Sequence, residues 1–210
     1  MAGVPELLIR PAEFVDLDAM YSICLRTGAA GLDATGQYRD ADLLGHVYVG
    51  PYVMLESAFG LVLTADDAVV GYALGAPDTV AFDAEAAAAW WPVLRRRYPL
   101  PDGARPYDGT DAGLIALIHA PPVAAAELLA AYPAHLHIDL LVEAQGTGAG
   151  RRLIEALEDG LRARGATGVH LGVDPANTAA QGFYEHVGYR RLAPGEFGTP
   201  PGVFYVKALS

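Results

Sequence analysis

The clearest periodicity in the chain lies in its last third. Leu153, Ile154, Leu157 and Leu161 recur three and four positions apart among charged residues, which predicts an amphipathic helix over 151–164, closed by Gly165. Strand composition flanks it at 135–141 and 169–173. Asp174-Pro175 then turns the chain, and Asn177 is placed to cap a helix running to Val187, stopped by Gly188. Two β-type segments, 189–192 and 203–208, follow. Earlier, 7–11 reads as a short strand ended by Pro11, and 16–26 places Met20, Ile23 and Cys24 at helical spacing before Thr27-Gly28. The glycine-rich, polar stretch 31–40 reads as a mobile loop. Runs 59–64 and 68–74, split by Asp66-Asp67, predict an antiparallel hairpin. A helix over 84–98 holds Trp90 and Trp91, which point to core or interface because adjacent helix positions do not share one face. A helix over 122–132 is stopped by Pro133. No repeat or linker divides the chain, so the expectation is one mixed α/β domain over 1–210.

Composition narrows the function. With 52% hydrophobic and 19% charged residues in 210, the chain has ample material for a packed core and is not disordered. Its formal charge of −11 disfavours a nucleic-acid module held by phosphate contacts and suits cationic partners. No window approaches about 18 uninterrupted apolar residues. The opening residues lack a basic and then apolar leader, so the expectation is a cytoplasmic protein with no membrane partner. Cys24 is the only cysteine, which excludes an internal disulfide and a cysteine-based zinc site. His135, His137 and His170 on adjacent strands lack the spacing of a ligand set, so no metal is expected. The oligomeric state leaves no mark.

The sharpest motif is Gln145-Gly146-Thr147-Gly148-Ala149-Gly150-Arg151, between a strand and a helix. Glycines there let backbone amides converge, and the helix N-terminus adds partial positive charge, a combination that suits a phosphate or pyrophosphate. A Walker loop would need Lys and Ser or Thr where Arg151-Arg152 stand. A dinucleotide fingerprint would need its third glycine at Arg151, and would follow the first strand.

The remaining pattern, Gln-x-x-Gly-x-Gly, resembles the pyrophosphate loop of the GNAT family of N-acetyltransferases. The run 177–189, with Asn177, Ala180, Phe183-Tyr184-Glu185 and Gly188-Tyr189, resembles that family's second signature, and Ile138-Asp139-Leu140-Leu141-Val142-Glu143 its preceding strand. The segments 50–56, 132–139 and 174–177 are more narrowly similar to the acetyltransferase-like domain at the C-terminus of O-GlcNAcase and its stand-alone bacterial relatives. No glycosidase domain fits this length, so sugar hydrolysis is not implied.

The resemblance implies a GNAT fold, a mixed sheet splayed between strands 4 and 5 and flanked by helices, with acetyl-CoA as co-substrate. Leu140, Leu141 and Val142 would bond the pantetheine arm like an added strand. The loop from Gln145 through Gly146, Thr147, Gly148, Ala149 and Gly150 to Arg151 would hold the pyrophosphate. Asn177 would reach the arm while capping its helix, beside Phe183. Tyr184 stands where the family tyrosine faces the CoA sulfur and would protonate the leaving thiolate. Candidates for the base are Asp139 and Asp174, with His137 behind them. The acceptor would be a cationic amine, of a small molecule or a protein lysine, seated by the first helices and 31–52 with Tyr38, Tyr48 and Tyr52. The alternative is a non-catalytic acetyl-CoA-binding or protein-interaction module, since some O-GlcNAcase-like members have lost the glycine loop.

Overall fold

The computed structural model describes residues 6–106 and 109–209. The opening five residues, on which the absence of a leader was read, lie outside the described residues. Seven strands form one sheet: β1 (Leu7–Pro11), β2 (Phe59–Ala65), β3 (Ala68–Ala76), β4 (Ala134–Leu140), β5 (Gly168–Val173), β6 (Arg190–Arg191) and β7 (Val203–Ala208). Their order is β1-β2-β3-β4-β5-β7-β6, antiparallel except where β4 meets β5. That parallel pairing holds at Ala134 with Val169 and His135 with His170 only. Beyond those pairs the two strands diverge. The mixed, splayed sheet expected of a GNAT fold is therefore borne out.

The sheet separates two apolar layers. On one face lie α1 (Leu17–Thr27), α2 (Leu43–Tyr48), α3 (Gly50–Met54), α4 (Thr79–Glu85), α5 (Trp91–Arg97) and α6 (Asp111–His119). On the other face α8 (Ala149–Ala163) and α9 (Thr178–His186) cover Leu136, Val169, Leu171 and Tyr205. A short α7 (Ala126–Ala131) leads into β4. The buried stripe of α8 is Leu153, Ile154, Leu157 and Leu161, the periodicity read from the sequence.

Several elements differ from expectation. The helix expected over 84–98 begins earlier, at α4, where Asp78 accepts from the Val80 and Ala81 amides. It then widens into a π turn over Ala86–Trp90 before α5. Pro92 lacks an N–H and its ring would crowd the carbonyl one turn back, which the wider turn relieves. Trp91 is core, while Trp90 is partly buried and donates its indole N–H to the His46 carbonyl at 2.9 Å. α2 and α3 lie beyond the loop expected over 31–40, in a stretch for which no helix was expected. Their glycines are there for close approach: a Cβ on Gly45 would stand 2.3 Å from the Tyr21 ring, and one on Gly50 2.4 Å from Trp90. α6, capped by Thr110, has apolar residues on most sides and so no helical stripe to read. The helix expected over 122–132 shortens to α7. Among the described residues, no helix is long and apolar enough to cross a membrane.

Candidate active site

The divergence of β4 from β5 opens a cleft of about 140 Å³ lined by Leu136–Asp139, Gly172–Asp174, Asn177, Ala180 and Tyr184. Strand alternation sends His135, His137 and Asp139 toward α1, α3 and α4, and sends Leu136 and Ile138 toward α8. The cleft thus brings Asp139, Asp174, Asn177 and Tyr184 to one opening, with His137 beside them.

Two hydroxyls meet Asp139: Tyr72 donates to Oδ2 at 2.6 Å, and Thr27, whose single hydrogen is shared with the Ile23 carbonyl oxygen 2.8 Å away, lies 3.0 Å from Oδ1. Burial raises its pKa, and the two hydrogen bonds partly oppose the rise. Tyr184, on α9, is buried, and its phenol is pushed up by burial and then by the Asp139 charge. Asp174 is exposed, and its Oδ1 accepts the Ala176 amide at 2.8 Å in a turn. Asn177 accepts the Ala180 amide at 3.0 Å, the cap read from the sequence. Gly31 packs on it, since a Cβ there would lie 3.1 Å from Asn177 Nδ2.

The glycine loop is exposed and shaped by positive φ at Gly146 (70°) and Gly148 (81°), the latter preceding α8. The amides of Gly150 and Arg151, in the first helical turn, have no carbonyl one turn back to meet. The Ala149 amide is taken by Thr147 Oγ1 at 3.3 Å, and that hydroxyl donates to the Ala144 carbonyl at 2.8 Å. Gln145 donates its side-chain amide to the Leu140 carbonyl at 2.9 Å, tying loop to strand. Gly150 lies under Phe183, whose ring would be 3.4 Å from a Cβ there. The Arg151 guanidinium lies 3.0 Å from His186 Nε2 and 3.8 Å from a Glu155 carboxylate oxygen.

Two expectations change. Leu141 donates its amide to the Val70 carbonyl at 2.9 Å and accepts from Ala144, so it faces β3 and not the cleft. By the alternation of an antiparallel ladder, Ile138 and Leu140 turn their backbone groups to the open edge instead. Val142, 78% exposed, starts a short 3-10 turn beyond the strand. Tyr52, expected to seat a cation, is 5% exposed and stacks on Phe82, its hydroxyl held between His135 and His137. Tyr48 contacts the edge of the His137 ring, while Tyr38 packs against the helical core. Thr27, Tyr72, Thr79 and Gly31 were not legible as supporting residues, because strand register and helix docking bring Thr27 and Tyr72 to Asp139, Thr79 to His135 and Gly31 to Asn177. Among the described residues, no cluster of His, Cys, Asp and Glu is arranged to hold a metal.

The site thus joins an open edge between diverging strands, a glycine loop at a helix N-terminus, and a cleft lined by both a buried tyrosine and a carboxylate. Residues 39–189 match the acetyltransferase (GNAT) family, and the chain belongs to it. Acetyl-CoA is that family's co-substrate. The crystal structure of SsHAT is similar across 98% of this chain and 100% of its own, with 38% identity and a TM-score of 0.84. The structure of yncA from Salmonella typhimurium with its cofactor acetyl-CoA has the same fold, at 20% identity over 97% of this chain and 94% of its own, with a TM-score of 0.54. The O-GlcNAcase of Rattus norvegicus is 26% identical over 195 residues, 93% of this chain. The chain spans only 21% of the length of that relative and of its Mus musculus counterpart.

Proposed function

We propose that the protein transfers the acetyl group of acetyl-CoA to a primary amine, by direct attack within a ternary complex. The observation that carries this reading is the meeting of Asp139 and Tyr184 at the opening where β4 leaves β5. The pantetheine arm lies along Ile138 and Leu140, its carbonyls and amides pairing with the open edge of β4. The pyrophosphate takes the amides of Gly146, Thr147, Gly148, Gly150 and Arg151, and Thr147 and Gln145 hold the loop in shape. Ala149 contributes packing, with its amide already bonded. Asn177 fixes the start of α9, and Phe183 presses on Gly150 beneath the arm.

In the reaction the amine nitrogen attacks the thioester carbonyl and a C–N bond forms as the C–S bond breaks. The ammonium proton passes to Asp139, directly or through one water, and the phenol proton of Tyr184 passes to the leaving thiolate. Burial suits both roles, making the carboxylate more basic and keeping the phenol protonated. Asp174 serves better as a charge at the mouth, where it attracts a cationic acceptor, because it is exposed to solvent while Asp139 is shielded from it. The acceptor is a small-molecule amine or a protein lysine.

A second reading, a module that binds acetyl-CoA without turning it over, draws support from the hydroxyls that already engage both Asp139 oxygens. Thiol release from acetyl-CoA over an amine panel, run beside calorimetry with CoA, separates the two. Turnover that disappears in Tyr184→Phe supports the transferase. Binding without turnover supports the module, and no binding refutes both.

A further inference from the structure

Four groups bond in single file from the start of β4 to the cleft. Thr79 Oγ1 lies 2.7 Å from the Pro133 carbonyl oxygen and 2.8 Å from His135 Nδ1. Two oxygens that close need a hydrogen between them, and only the hydroxyl has one, so Thr79 donates to Pro133 and accepts from His135. His135 is neutral, since burial and then its neighbours His137 and His170 push its pKa well below the usual range. Its Nε2 is therefore a bare acceptor. Tyr52 Oη stands 2.7 Å from that Nε2 and donates to it. The same oxygen stands 3.0 Å from His137 Nε2. With its one hydrogen committed it can only accept, so His137 carries its proton on Nε2. His137 is neutral too, its pKa pushed down to about 4 by burial. What remains on its ring is the lone pair of Nδ1.

We propose that Thr79 is a positioning residue which, through His135 and Tyr52, holds cleft-lining His137 in the Nε2–H tautomer, so that His137 and Asp139 together form a doubly accepting seat for the two N–H groups of a primary amine. The direction of the whole file follows from the Pro133 carbonyl, which cannot donate. A neutral primary amine satisfies both acceptors and keeps its lone pair for attack. An alcohol, or a secondary amine, brings one hydrogen and leaves one acceptor unpaired. The seat's occupant rests on the acetyltransferase reading, whereas the order of the tautomers does not.

Removing the hydroxyl should reverse the file. In Thr79→Val the Pro133 carbonyl keeps the Thr79 position's backbone amide, now at 2.9 Å, but His135 Nδ1–H has no acceptor. His135 then moves its proton to Nε2 and donates to Tyr52, Tyr52 donates to His137, and His137 becomes protonated on Nδ1. Long-range ¹⁵N–¹H spectra of histidine-labelled protein read each tautomer directly. The expected result is Nδ1–H on His135 and Nε2–H on His137 in the wild type, both inverted in Thr79→Val and restored in Thr79→Ser. With n-butylamine as probe, Thr79→Val should raise the amine KM about tenfold while leaving the acetyl-CoA KM unchanged. Wild-type His137 protonated on Nδ1, or tautomers unmoved in Thr79→Val, overturns the proposal. Correct tautomers with acetylation of N-methylbutylamine as efficient as that of n-butylamine overturn the seat. Correct tautomers without acetylation of any amine overturn the transferase reading and leave the file standing.

Discussion

Tyr72 and Asp139 face each other across β3 and β4, and the tyrosine hydroxyl donates to the carboxylate at 2.6 Å. Tyr72 is fully buried, so its hydroxyl makes this bond away from water. With Thr27 on the other oxygen, the pair orients a carboxylate whose environment would otherwise favour the neutral acid. The result is a carboxyl group of raised pKa held in one orientation at the edge of the cleft.

Asp139→Asn is expected to lower kcat about a hundredfold, the usual worth of a positioned base, with little change in CoA affinity. The pKa is raised in the folded protein, so folding favours the protonated form. Through the window from the ordinary carboxylate range up to the folded pKa, the folded state holds more protons and stability falls as pH rises. The asparagine variant lacks that fall. Urea unfolding of both proteins from about pH 4 to pH 7 tests the sign, and parallel curves would refute it.

Tyr184→Phe keeps the ring and its contacts with Phe183, Tyr189 and Tyr205 while removing the hydroxyl. The expected loss is about a hundredfold in kcat, with unchanged KM for acetyl-CoA. The discriminating measurement uses an acyl thioester with a more acidic thiol. A leaving group that needs no proton should recover most of the lost rate, and an equal defect on both thioesters would assign the tyrosine to packing.

Much of the glycine-loop side of the candidate site was legible because it is local. The glycine loop, the α8 stripe, the Asn177 cap and Tyr184 fall within one stretch whose spacing is written in the chain. The surroundings of Asp139 depend on distant pairings. Asp139 meets Tyr72 through the register of β3 on β4 and Thr27 through the docking of α1, 67 and 112 residues away in sequence. The tyrosines near residue 50 misled for the same reason: Tyr52 looked available for a cation until packing placed its hydroxyl between two imidazoles. Leu141 was misassigned because strand composition does not say which edge a given amide faces.

Gly148→Ala should test the loop by strain alone. Gly148 has φ of 81°, and an added Cβ would meet no atom within 4 Å. The left-handed backbone should therefore cost an alanine about 1 to 2 kcal/mol in stability. If the loop responds by changing conformation, its amides no longer converge and acetyl-CoA binding weakens as well. Urea unfolding and calorimetry measure the two effects, and unchanged values in both would show that the left-handed turn is not required.

Lys207 is the chain's only lysine. Its ammonium donates at 2.8 Å to each oxygen of Glu158 and at 2.9 Å to the Val187 carbonyl, which satisfies all three hydrogens. Glu158, 1% exposed on α8, also accepts from the Tyr189 hydroxyl at 2.9 Å. This group ties α8 to β7 and to the turn after α9, the elements that carry the glycine loop and Tyr184. Lys207→Met should cost up to about 3 kcal/mol, because it leaves Glu158 buried with only the Arg162 guanidinium, 3.6 Å away, as counter-charge. Glu158→Gln combined with Lys207→Met should recover part of that loss, since the buried charge is removed and the Tyr189 hydrogen bond is kept, while the Arg162 contact at 3.6 Å is given up. Urea unfolding of the single and double variants decides it. A double variant no more stable than Lys207→Met would mean that the ion pair contributes through its geometry and not through charge compensation.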